Sequence, residues 1–248
     1  MSTANAINRP HLGMLGLEPL RAALEFVRTQ FVSSAKGAPA GDGHAVVLFP
    51  GLGADRHYMA PLAKYCEKLG YTAYDWGRGR NTGPEGPVKT WLRPLAAELQ
   101  SMVAGHSDAT FIGWSLGGIY ARELAKVMPD RVRQVITLGS PFARITDSTN
   151  VDWIYEFLSG SSTKVTPGFA RALRTPPPVP TTSIYSRSDG VVAWEACIGD
   201  ACANTENIEV TSSHLGLVWH PDVFKILGDR LAQPRGHWTP WLPVRAEQ

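Results

Sequence analysis

The chain has 248 residues, 44% hydrophobic and 19% charged, a composition that excludes intrinsic disorder for most of its length and fits one large α/β domain. Its formal net charge is only +2 and no basic run exists, so a nucleic-acid backbone is not expected as a partner. The longest uncharged stretch near the middle, Ala109 to Ala121, is short of the roughly 18 apolar residues a membrane span needs, and the amino terminus lacks the pattern of a secretion signal, which leaves the cytoplasm as the expected compartment.

The first expected helix is LEPLRAALEFVRTQF, with Leu20, Leu24, Val27 and Phe31 on the stripe expected to pack on the domain and Arg21, Glu25 and Arg28 off it. AVVLFP then reads as a strand buried on both faces, ending in the glycine turn Gly51-Leu52-Gly53. A helix follows, with Cys66 as a buried thiol, then the strand YTAYDW and the turn-rich GRGRNTGPEGP. The glycines of GRGRNTG have neither phosphate-binding spacing, so this segment is expected to be a solvated loop. The helix VKTWLRPLAAELQSMVAG carries Pro94, which belongs in a first turn or at a kink.

ATFIGW is a short apolar strand that breaks at Ser115 into the helical pattern LGGIYARELAKVMPD. RQVITLGSPF, TTSIYSRSD and NIEV are further strands, and SSHLGLVWHPDVFKILGDRLA closes the fold in a helix. Between residues 143 and 180 the alternation lapses, too long for an ordinary connection, and this segment is expected to form a cap or lid within a single domain spanning 1–248. Cys197 and Cys202 flank a short loop and could bridge in an oxidising setting or stay reduced.

Gly113-Trp114-Ser115-Leu116-Gly117 matches G-x-S-x-G between a strand and a helix, the context in which a strained turn presents a serine hydroxyl at the carboxyl edge of a sheet. The plainer alternative is close helix packing by the two glycines, with Ser115 as a helix cap. With FPGLGAD after the first core strand, SRSDG after a late one and SSHLGL after the last, the chain from Ala45 to Ala232 resembles the α/β-hydrolase family. Within it, the chain looks like small lipase- and esterase-like serine hydrolases with a GWSLGG elbow. It departs from the common pattern in having Pro50-Gly51 at the end of the first strand and Trp114 beside the nucleophile. The resemblance implies an α/β-hydrolase fold: a mostly parallel central sheet with helices on both faces and a short cap.

A serine hydroxyl needs a base, and of seven histidines His214 follows the last strand in the chain order Ser, Asp, His that this fold uses. His220, just before Pro221, suits a capping role; His57 lies near the mouth of the site; His11, His44, His106 and His237 read as surface residues. Asp189, at a strand end before Gly190, is the expected orienting acid, against a plain turn aspartate or the rivals Glu195 and Asp200, which read as solvated. The amides of Leu52 and Leu116 are the expected oxyanion donors, with an ordinary turn as the alternative at Leu52.

The sequence therefore points to a serine hydrolase that cleaves a small-molecule carboxylic ester through an acyl-enzyme, with no metal or organic cofactor. An acyltransferase, a thioesterase or a non-catalytic binding protein on the same scaffold are the alternatives. Trp114 and the aromatic pair Trp153 and Phe157, four apart in the expected cap, are candidates for the substrate pocket; core packing or a dimer contact is the competing role for that pair.

Overall fold

The computed structural model describes residues 10, 12–31, 37–143 and 167–242. Six strands form one sheet: β1 (Ala45–Phe49), β2 (Thr72–Asp75), β3 (Ala109–Trp114), β4 (Val132–Leu138), β5 (Thr181–Tyr185) and β6 (Thr205–Glu209). Their spatial order is β2-β1-β3-β4-β5-β6, and every neighbouring pair is parallel.

The apolar runs of the inner strands follow from having both faces covered. Val47 and Phe49 of β1 pack with α3 (Val88–Met102) and α4 (Leu116–Val127) on one side. Val46 and Leu48 point the other way, toward α2 (Ala60–Lys68) and α6 (Pro221–Leu231), so the period of two feeds two cores from one strand. The edge strands have only one neighbour and read differently: β6 is TENIE and no residue of β2 or β6 is fully buried.

The strand order places the site. From β1 the chain moves outward to β2, then returns past β1 to lay β3 on its other side, so the connections after β1 and β3 diverge at their carboxyl ends. That divergence makes this edge a topological switch point, the preferred ligand position of an open parallel sheet. Phe49 pairs with Gly113, which brings the Gly51-Leu52-Gly53 turn beside Ser115.

Pro94 is the seventh residue of α3, which rules out the first turn of the two places expected for it. A 3-10 turn at Leu215–Val218 precedes α6, which starts at Pro221. One local expectation needs correction: α1 (Leu12–Phe31) exists but is turned around. Leu20, Leu24 and Val27 face solvent, with Leu24 at 62% exposure, while Glu18 at 2% and Ala22 are buried. The inward face is polar because it meets loops with unpaired backbone amides rather than an apolar sheet.

α5 (Pro167–Arg174) lies in the segment expected to form the cap. Residues 144–166, with Trp153 and Phe157, lie outside the described residues, as does the side chain of Phe31. Among the described residues no helix is long and apolar enough to cross a membrane.

Candidate active site

Ser115 stands between β3 and α4 with φ 53° and ψ −123°, and among the described residues it is the only non-glycine with positive φ. Such a conformation costs on the order of 1–3 kcal/mol and persists only where its surroundings enforce it. Here the Ser115 amide donates to the Leu138 carbonyl at 2.8 Å, and its carbonyl receives Gly118 N–H at 3.1 Å. The turn closes tightly: a Cβ on Gly117 would overlap the Phe49 carbonyl, and one on Gly113 the Gly118 backbone. The glycines do allow close packing, but the Ser115 side chain does not cap α4, so the serine is held for something other than helix termination.

Asp189 lies just beyond β5 and uses its two carboxylate oxygens for two tasks. Oδ1 accepts from the amides of Val191 at 2.8 Å and Val192 at 2.7 Å, which is the behaviour of a turn aspartate. Oδ2 faces His214 Nδ1 at 2.6 Å, and both side chains are buried. Burial by itself lowers the pKa of His214, but the Asp189 charge, its hydrogen bond and the more distant Glu18 charge outweigh it, and the imidazole is held above its ordinary value. With Nδ1–H given to Asp189, Nε2 is left free to accept a proton.

The His214 loop is fixed to the Asp189 loop by Ser186 and Ser188, whose hydroxyls both donate to the Ser212 carbonyl, at 2.7 and 3.1 Å. It is fixed to the Ser115 turn by Trp114, whose Nε1–H donates to the His214 carbonyl at 3.0 Å. The ring also packs at Gly139, where a Cβ would lie 3.1 Å from Nδ1. Gly139 follows Leu138, which anchors Ser115. No hydrogen bond joins the Ser115 hydroxyl to His214 among the described residues; in ligand-free sites such bonds are often long and form as substrate arrives.

Among the described residues the amides of Leu52 and Leu116 donate to no protein acceptor. The Leu52 turn is held by a residue that no sequence motif singles out. Buried Asn81, in the glycine-rich segment expected to be a solvated loop, donates Nδ2 to the Pro50 carbonyl at 2.7 Å. Its backbone exchanges two further bonds with the turn, Gly53 N–H to Asn81 O at 2.7 Å and Asn81 N–H to Ala54 O at 2.8 Å. Arg80 adds Nε–H to the Gly53 carbonyl at 2.9 Å. The segment thus braces the Gly51-Leu52-Gly53 turn; the only signal in the sequence is a polar residue flanked by glycines that free the backbone for a close approach. Tyr58 is likewise invisible in the sequence: its ring stacks on Trp114 at 4.6 Å and its hydroxyl donates to the Leu215 carbonyl at 2.7 Å. Trp114 itself is buried between Tyr58 and His214.

The remaining candidates separate from the site. His220 caps α6, accepting the Asp222 amide at Nδ1, as its position before Pro221 suggests. His57 is exposed and paired with Asp55. Asp200 is exposed and forms an ion pair with Arg174. Two residues differ from expectation. His44 is buried, bonded to Asp42 and Thr110, because β1 begins where the fold is already closed. Glu195 is not freely solvated, since its Oε2 is buried without a partner among the described residues. The cysteines are free: Cys66 and Cys197 are buried and Cys202 is exposed. Among the described residues no group of three or more His, Cys, Asp or Glu side chains gathers as a metal site.

Comparison with known proteins agrees with this arrangement. Residues 46–246 match the model of the alpha/beta hydrolase family. Over 101 residues the chain is 28% identical to the pimeloyl-[acyl-carrier protein] methyl ester esterase of Shewanella woodyi, covering 40% of this chain and 37% of that protein, so it spans well under half the length of that relative. Among solved structures, Bacillus licheniformis lipase BlEst2 superposes with a TM-score of 0.60 at 16% identity, over 79% of this chain and 95% of that one. Aspergillus fumigatus lipase B gives 0.59 at 16% identity, over 81% and 54%. The open parallel sheet, the strained turn after β3 and the family match lead to one conclusion: the chain belongs to the alpha/beta hydrolase family.

Proposed function

We propose that this hydrolase cleaves carboxylic esters through an acyl-enzyme formed on Ser115. The observation that carries the reading is the buried Asp189–His214 pair at 2.6 Å, set beside a serine held at φ 53° on the switch-point edge of the sheet. His214 Nε2 takes the Ser115 proton as Oγ attacks the ester carbonyl, and Asp189 stabilises the imidazolium that results. The oxyanion is received by the amides of Leu52 and Leu116, a class of donor worth about 3 kcal/mol each when removed. As the tetrahedral intermediate collapses, His214 returns the proton to the alcohol leaving group. Water, deprotonated by the same imidazole, then releases the acid and restores Ser115.

An acyl group borne by a carrier protein is the second reading, because the partial relative from S. woodyi is named for a methyl ester of such a conjugate. Acyl length we assign, from the sequence alone, to Trp153 and Phe157. Their replacement by alanine is expected to hurt octanoate esters more than acetate esters, since each lost methylene contact removes up to about 0.8 kcal/mol; equal losses for the two would take them out of acyl selection.

The deciding experiment is turnover of chromogenic esters by wild-type chain and Ser115→Ala, with labelling by a fluorophosphonate. Loss of both turnover and labelling in the variant, with its circular dichroism unchanged, is expected. Undiminished turnover by Ser115→Ala would overturn the reading.

A further inference from the structure

α1 precedes the span that the family model matches, yet its charged side chains bond directly to the loops that carry Asp189 and His214. Buried Glu18 uses Oε1 to accept two amides, Gly190 N–H at 2.7 Å and His214 N–H at 3.2 Å. One oxygen thereby joins the residue after the acid to the base itself. Oε2 takes Leu215 N–H at 3.2 Å. About two turns further along the same face, Glu25 accepts Ser213 N–H at 2.8 Å and Ser213 Oγ–H at 2.6 Å. Between them Arg21 donates to the carbonyl and hydroxyl oxygens of Ser188 at 2.6 and 2.9 Å.

The loops are shaped to admit this helix. A Cβ on Gly190 would lie 2.7 Å from the Met14 backbone and 2.9 Å from Glu18 Oε1, and one on Gly216 would overlap the Glu25 carboxylate. A carboxylate 2% exposed is tolerated only when its lone pairs are filled, and here the donors that fill them are main-chain N–H groups of the two loops that carry Asp189 and His214. Stabilising an isolated helix would not need this placement. Fixing the distance between the acid and base loops does.

We propose that Glu18 is a positioning residue for the Asp189–His214 pair, holding the two loops in register through Gly190 and His214, with Glu25 and Arg21 completing the brace. The inference rests on the Ser115–His214–Asp189 triad proposed for ester cleavage. The negative charge of Glu18 also favours the protonated imidazole, so it acts on the same state that forms during acyl transfer.

Glu18→Gln tests this in the full chain, since it keeps the size but removes the charge and replaces one acceptor oxygen with a donor that faces an N–H. A misplacement of this kind is expected to lower kcat by up to about 10²-fold with KM for the ester little changed. The His214 ring, followed by NMR, is expected to titrate at lower pH than in wild-type chain. A folded Glu18→Gln with unchanged kcat and an unchanged His214 titration would reduce the contact to helix anchoring and overturn the proposal. If that variant does not fold, Glu25→Gln carries the test: lower kcat at constant KM supports the brace, and unchanged kcat overturns it. The NMR titration is read without turnover, so a chain in which Ser115 proves inert fails the ester reading while the shift at His214 still decides the role of Glu18.

Discussion

At the residue scale, the informative positions are those whose geometry would be wasteful unless it served chemistry. Ser115 is strained, Asp189 divides its oxygens between a turn and an imidazole, and His214 is buried with a charge partner. Asp189→Asn and His214→Ala are each expected to cost on the order of 10³ or more in kcat, while His220→Ala, which removes only a helix cap, costs far less. Steady-state kinetics of the three folded variants give the ranking, and a larger loss at His220 would move the base from His214 to His220. Gly117→Ala belongs to the same scale: its methyl group has nowhere to go but the Phe49 carbonyl, so urea denaturation is expected to show a loss of about 3 kcal/mol or more. The strained glycine-flanked turn at Ser115 and the Asp189–His214 contact were legible in the sequence because motif spacing and chain order constrain them. His44, just before β1, and Glu195, in a 3-10 turn, were not, because nothing in a local window reveals that a polar group there is already enclosed.

At the scale of elements, strands were easier to read than helix orientation. A strand buried on both faces announces itself by an apolar run, as β1 and β3 did, whereas β5 is as buried but reads TTSIY. An amphipathic helix gives two faces, and the rule that the apolar one turns inward fails when the surface it meets is a pair of loops with open amides. That is the case for α1, where carboxylates face inward and leucines outward. Leu24→Gln is therefore expected to change stability by no more than about 0.5 kcal/mol, whereas Ala22→Leu on the buried face costs about 1–3 kcal/mol. Thermal or urea melts of the two variants check the orientation, and the reverse order would place the leucine stripe inside. The Asn81 loop failed to be legible for a related reason: its partners, Pro50 and Gly53, are distant in sequence and are engaged through the backbone.

At the scale of the whole molecule, stability and activity pull apart with pH. His214 has a folded pKa above its ordinary value of about 6.5, despite burial, because of Asp189 and Glu18. Between the unfolded and folded values the native chain holds a proton that the unfolded chain has released, so stability falls as pH rises through that window. The stabilisation from the charged pair is complete below about pH 6.5 and disappears above the raised value. His44 runs the other way: burial, helped by Arg133 and opposed by Asp42, lowers its pKa, so its contribution is present above about pH 6.5 and is lost on acidification. If His214 is the base proposed for ester cleavage, it must be neutral to act, so the acid limb of kcat/KM for an ester is expected to have its midpoint above about 6.5, in the range where the charged pair stops contributing to stability. Two measurements check this together, a pH–rate profile and urea denaturation across the same range. His214→Gln should remove the alkaline decline in unfolding free energy while His44→Gln should flatten the acidic one. A wild-type acid limb below about 6.5, or an alkaline decline that survives His214→Gln, would show that Asp189 and Glu18 do not dominate the environment of this imidazole.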